Sequence, residues 1–152
     1  MTLLSLEDAQ AIVSHALQSA RTNGFEPMTI VVLDAAGVMK ASAREDGSGL
    51  IRPDVAHAKA WGALGMGLPT SELGRRAELM PGFFQALGPV SQGRMVPVPG
   101  GVLVMRDSTI VGAVGVSGDM SDNDEVCAVA GIEGAGLVAD AAADPPIRRS
   151  AF

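Results

Sequence analysis

Apolar residues recur along the chain with two different periods, which predict its helices and strands. From residue 5 to about residue 23 they return every three or four positions, the spacing of an amphipathic helix. Residues 29–33 and 38–43 are short runs separated by turn residues, the first rich in β-branched side chains, and they predict a hairpin. A second hairpin is predicted within residues 100–118, with its turn at Asp107-Ser108.

Two later segments are apolar on more than one side of a helix. The first spans about residues 52–68 and opens with proline and an acid. The second spans about residues 121–143, and Asp124 or Glu125 completes a capping box at its start. A helix that is apolar nearly all round must be covered on both sides, so we expect a second helix layer or another subunit.

The order of these elements indicates the fold class. A shorter helix capped by Thr70 or Ser71 follows the second helix, and residues 83–87 are expected to add a turn. Two hairpins separated by helices favour an antiparallel sheet with helices packed on its faces, an α+β fold. At 152 residues, the chain 1–152 is expected to form one domain with a loosely ordered tail at 144–152.

Composition argues against several classes of partner. The net charge is −6 and only 3% of residues are aromatic, so neither nucleic acid nor an anionic membrane surface is an expected partner. Cys127 is the single cysteine, the first residues lack a signal-peptide pattern, and no apolar run reaches the roughly 20 residues of a membrane span. These observations predict a cytoplasmic location.

Lys59 is the first candidate for chemistry, because it lies on a helix face otherwise made of small and apolar residues. A partly desolvated lysine can bind a substrate carboxylate or act as a base. Alternatively, its stem covers the apolar face while its ammonium reaches water or a carboxylate such as Asp46. Asp124 and Glu125 are expected to be helix caps, unless one points into the cleft of Lys59 as a general acid or base.

A second group of candidates would bind an anion. Arg44 can clamp a carboxylate with two hydrogen bonds, or it pairs with Asp46 or Glu125 to close the first hairpin. The backbone N–H groups of four residues would line such a pocket: Gly100, Gly101, Ser117 and Gly118. The alternative for the glycines is turn geometry alone.

Haem would require an axial ligand and a broad apolar pocket. His15 is assigned to the surface or an interface. His57 is either a ligand-binding residue or a ring packed beside Trp61 or paired with Asp54. No pair of Cys and His has zinc-like spacing, and the acidic run after residue 118 lacks that of a calcium loop. The sequence therefore predicts no metal site, and no motif supports haem.

Six short segments, Gly100-Gly101 among them, follow a pattern found in a known family. Residues 31–37 and 44–47 read VVLDAAG and REDG, and residues 56–60 read AHAKA. The glycine-rich run 110–118, IVGAVGVSG, is followed by Asn-Asp-Glu at 123–125. The chain thereby resembles the GlcG/HbpS family, often labelled haem-degrading, over nearly its whole length.

This resemblance implies a profilin-like α/β sandwich, often assembled as a homo-oligomer. The family includes a secreted haem-binding sensor partner, the C-terminal domain of PduO-type corrinoid adenosyltransferases, and proteins encoded beside small-acid catabolic enzymes. This chain departs from the pattern at Trp61, where the family has small residues, and after Gly101, where the usual proline is missing.

The sequence supports two main hypotheses about function. The first is a protein that holds a small organic acid or haem near a subunit boundary, in a pocket formed by Lys59, Arg44 and the glycine loops. The alternative is an isomerase, hydratase or lyase, independent of metal and nucleotide, in which Lys59 and Asp124 or Glu125 transfer protons. A stabilising partner of a larger enzyme is a third hypothesis.

Overall fold

A computed structural model of the protein describes residues 3–141, and within them the chain forms one antiparallel sheet. Its strands are β1 (Thr29–Asp34), β2 (Met39–Arg44), β3 (Gly101–Arg106), β4 (Thr109–Ser117) and β5 (Val138–Asp140). They lie in the order β2-β1-β4-β3-β5, and every neighbouring pair is antiparallel. The helices are α1 (Leu6–Thr22), α2 (Arg52–Met66), α3 (Thr70–Leu79), α4 (Pro81–Val90) and α5 (Ser121–Gly134). The predicted α+β class is confirmed.

The sheet separates two helix layers, and the alternation of side chains along β1 shows how. Ile30 and Val32 point into a core shared with α1 and α5, whereas Val31 and Leu33 point towards α2. A third, smaller cluster joins α3 and α4 to the end of α2. Part of the second face of α2 is therefore covered by the same chain, since Met95 lies against Gly62.

The helix boundaries confirm some predicted caps and correct others. Ser5 and Asp8 form the capping box of α1, because each side chain accepts a hydrogen bond from the other's backbone N–H. Neither Thr70 nor Ser71 caps α3, whose N-cap is Pro69. Residues 83–87 add more than a turn, since they lie inside the ten-residue helix α4.

The last helix begins at Ser121 as predicted, but its predicted cap and its predicted C-terminal end are wrong. Its N-cap is Met120, so the expected capping box is not formed. The helix stops at Gly134 because Gly136 takes a φ of +80° and Leu137 donates its N–H to the carbonyl of Ile132, a Schellman ending. Residues 138–140 then pair with β3 as β5 instead of continuing the helix. The predicted tail 144–152 lies outside the described residues.

None of the helices in the described part of the chain combines the length and apolar character needed to cross a bilayer.

Candidate functional site

Lys59 and Asp124 meet in a buried ion pair at the end of the sheet where β4 finishes. Lys59 Nζ donates to Asp124 Oδ2 at 3.0 Å and to the Val116 carbonyl at 2.9 Å. Asp124 Oδ1 accepts from the backbone N–H of Asp119 at 2.9 Å. The two side chains are only 2% and 1% exposed. We call these residues the Lys59–Asp124 cluster; it joins α2, β4 and the start of α5.

Burial dominates the electrostatics of this cluster. It lowers the pKa of the Lys59 ammonium and raises the pKa of the Asp124 carboxyl, and in each case the partner's charge opposes the shift. Because both side chains are enclosed, the geometry favours a link between elements over a site that meets substrate.

The glycines predicted to line an anion pocket pack against this cluster. A Cβ on Gly100 would lie 2.8 Å from Lys59 Nζ, and one on Gly101 would overlap the Lys59 carbonyl oxygen. Gly101 also donates its N–H to Thr70 Oγ1 at 2.8 Å. These two glycines therefore let α2 and α3 approach the sheet closely.

Ser117, Gly118 and Glu125 lie around the same end of the sheet. Ser117 is buried and its hydroxyl accepts from Arg52 Nη1 at 3.2 Å, while Gly118 packs on the carbonyl of Pro27. Burial raises the pKa of Glu125, and the neighbouring Ser71 hydroxyl opposes that shift. Within residues 3–141, neither Glu125 Oε2 nor Ser71 Oγ has a hydrogen-bond partner of good geometry. Glu125 does not join Lys59 and Asp124.

Arg44 and His57 come together on the α2 side of the sheet, in a hollow of about 230 Å³ between β2 and the start of α2. Arg44 Nη1 donates to the Ser48 carbonyl at 2.8 Å, so neither predicted partner, Asp46 or Glu125, pairs with it. Asp46 lies on the other side of Arg44, in a wider and more open depression. We call the first hollow the Arg44–His57 groove.

A third feature lies on the outer face of α5. Val126, Val129 and Ala130, bordered by two glutamates, line an open hollow of about 360 Å³. His15 of α1 is exposed and packs so closely against Gly134 that a Cβ there would overlap its ring. Since Ala130 and Gly134 are four residues apart, they share one helix stripe, so His15 packs one helical turn beyond Ala130 and outside the residues that line the hollow. This face was not singled out from the sequence, although Val126, Ala130 and Gly134 recur at the four-residue spacing that could have indicated it.

Within residues 3–141, the structure brings together no group of three or more His, Cys, Asp or Glu side chains able to hold a metal ion.

These features occur in a fold with known relatives. The chain matches the model of the family described as "Haem degrading protein HbpS-like" over residues 4–133. It belongs to this HbpS-like family. Among curated proteins, corrinoid adenosyltransferase PduO of Salmonella typhimurium is 29% identical over 122 residues, which cover 80% of this chain. The match covers only 35% of that protein, so this chain spans about a third of it.

Two solved structures show the same fold. The PduOC:heme complex has a TM-score of 0.82 and 26% sequence identity, and the match covers 90% of this chain and 97% of that one. A double mutant of Streptomyces reticuli HbpS has a TM-score of 0.75 and 30% identity, with 88% and 87% of the two chains covered. The HbpS-like fold is thus established for this chain.

Proposed function

We propose that this protein binds haem on the outer face of α5, with His15 as the axial ligand of the iron. The observation that carries the proposal is an exposed imidazole that packs against Gly134, one helical turn beyond an apolar hollow on the same helix. A haem site in a protein needs these two features, an axial side chain and an apolar wall for the macrocycle. The similar PduOC chain, solved as a complex with heme, supports the same ligand class.

The residues of this face fit haem better than they fit a small acid. Val126 is 47% exposed and has Val129 and Ala130 beside it, which together form an apolar surface on α5. Glu125 and Glu133 border the hollow and would repel a small carboxylate placed there. Haem can direct its propionates away from both glutamates while its ring covers the apolar residues.

The enzyme alternative has less support from the geometry. It requires Lys59 to reach substrate, but Lys59 Nζ is enclosed and already donates to Asp124 and Val116. Glu125, the other predicted acid, lies apart from that pair. Both observations favour the binding function.

We also propose that the protein is a homo-oligomer and that the haem face lies near a subunit boundary. The exposed apolar residues of α5 support this, since exposed apolar helix surface is commonly covered by a partner. Native mass spectrometry of the protein with and without haem tests it. A single monomeric species in both samples would contradict this part of the proposal.

Absorption spectroscopy during titration with ferric haem tests the binding proposal. The wild-type protein should bind saturably and show the spectrum of imidazole-ligated iron, and His15→Ala should lose that spectrum. His57→Ala is the matched control, because it removes the other histidine of the chain and should leave the spectrum unchanged. Loss of the spectrum in His57→Ala but not in His15→Ala would refute the assignment of the ligand. Absence of saturable binding by the wild type would refute haem binding altogether.

A further inference from the structure

We infer that the Arg44–His57 groove is a second binding site, which takes a small monocarboxylate with a short apolar chain. The groove exists because α2 packs on β1, β3 and β4 but leaves the α2 side of β2 uncovered. Ser42 and Arg44 lie on this side of β2, opposite Val31 and Thr29 in the strand register. The haem face lies beyond the sheet, on the opposite helix layer.

Arg44 is held in place but keeps most of its donors available. Its Nη1 donates to the Ser48 carbonyl, and the buried Ser48 is itself held by a 2.8 Å hydrogen bond between its hydroxyl and that of Thr29. Within residues 3–141 Arg44 makes no ion pair, and the other N–H groups of its guanidinium have no partner. A positioned guanidinium with free N–H groups can bind a carboxylate with two parallel hydrogen bonds.

The other walls of the groove limit what the carboxylate can carry. Val31 and Pro53 contribute apolar surface, and His57 of α2 faces the groove as a further polar contact. The volume of about 230 Å³ is below the roughly 300 Å³ at which sites for drug-sized ligands begin, so the ligand is small and haem does not fit.

Charge further restricts the ligand to one carboxylate. Asp54 lines the groove on α2, and Asp46 lies beyond Arg44 in the neighbouring depression. Arg44 is the one arginine or lysine side chain among the residues that line the groove. A second carboxylate on the ligand would face Asp54 without a cation of its own, so a dianion should bind more weakly than a monoanion.

Amide NMR spectra of the haem-free protein, recorded during titration with sodium butyrate and separately with sodium succinate, test the inference. Butyrate should shift the signals of residues 42–44 and 53–57 saturably, and succinate should bind more weakly. Arg44→Gln should weaken butyrate binding roughly tenfold or more, the effect of losing a hydrogen-bonded charge. Lys40→Gln is the matched control, since it removes an exposed cation of the same strand outside the groove and should leave binding unchanged.

Two more variants keep the test decisive if Arg44→Gln disturbs the fold. Ser42→Leu should block butyrate by filling the groove while Arg44 remains, and Asp54→Asn should improve the binding of succinate. The inference is overturned if butyrate causes no saturable shift, if its affinity survives Arg44→Gln or Ser42→Leu, or if the shifts fall on α1 and α5 instead. Haem titration of Arg44→Gln should match the wild type, so the two proposals can fail independently.

Discussion

The Lys59–Asp124 cluster and the Arg44–His57 groove lie at the same end of the sheet, and each places a cation beside α2. Lys59 donates to a carboxylate and a carbonyl, and it is closed in by Gly100 and Gly101. Arg44 donates one hydrogen bond to the backbone carbonyl of Ser48 and is otherwise exposed to solvent. Lys59 therefore holds helices to the sheet, whereas Arg44 is available to a ligand.

The physical reason for the difference is the cost of burying charge. An ammonium removed from water must be paired and hydrogen-bonded, and once it is, it has little capacity left for a ligand. An exposed guanidinium keeps its hydration and can exchange water for a carboxylate. Lys59 and Arg44 are both candidate ligand-binding residues in the sequence, and their different surroundings in the fold give them different roles.

The largest effect should come from breaking the buried pair. Lys59→Met leaves the carboxylate of Asp124 without its cation and should lower the free energy of unfolding by about 3–5 kcal/mol. Denaturant unfolding measures this, with Lys40→Met as the exposed control. The double variant Lys59→Met/Asp124→Leu should recover much of the loss, because no uncompensated charge remains. A single variant as stable as wild type would show that the pair is not structural.

The glycines around Lys59 should give the next largest effect. Gly101→Ala introduces a Cβ that overlaps the Lys59 carbonyl oxygen, and the forced movement of α2 should cost about 1–3 kcal/mol. Gly82→Ala is the control, since a Cβ there meets nothing within 4 Å. Thermal unfolding compares the two variants. Equal stability of Gly101→Ala and wild type would show that this glycine is not needed for close packing of α2 on the sheet.

Glu72 of α3 is an intermediate case, because its buried carboxylate binds two arginines of which Arg75 is 45% exposed. These guanidinium groups lower the pKa of Glu72 to about 2. Since the folded pKa is depressed, the stabilisation is fully present above the ordinary carboxyl pKa and is lost as the pH falls towards 2. Glu72→Gln should therefore cost about 2 kcal/mol near neutral pH and flatten the acid dependence.

Unfolding free energies measured between neutral and strongly acidic pH provide the check on Glu72. Glu78→Gln, an exposed acid of the same helix, is the matched control and should retain the wild-type dependence. An unchanged acid slope in Glu72→Gln would contradict the proposed linkage.

The smallest effect should come from the groove. Arg44→Gln removes one partly buried hydrogen bond of an exposed side chain and should change the unfolding free energy by less than about 1 kcal/mol. Thermal unfolding of Arg44→Gln and Lys59→Met, measured under the same conditions, compares the contributions of the two cations to stability. A large loss of stability would mean that Arg44, like Lys59, serves mainly the fold.

Much of the architecture could be predicted from local sequence. The capping box at Ser5, the β-branched run of β1 and the turn at Asp107-Ser108 each depend on residues close together in the chain, and the α+β class followed from their order. The last helix shows where prediction from local sequence fails. Residues 135–140 continue its apolar pattern, but Gly136 ends the helix and pairing with β3 makes residues 138–140 a strand.

The sequence by itself determined most of the elements, the fold class and the resemblance to the HbpS-like family. It also identified Lys59, Asp124, Arg44 and His57 as candidates. Only the tertiary structure decided which of them meet, because Lys59 and Asp124 are 65 positions apart and only folding brings them together. Burial is also decided by packing. Lys59 is enclosed where glycines let α2 pack closely on the sheet, whereas Arg44 stays exposed where no helix covers β2.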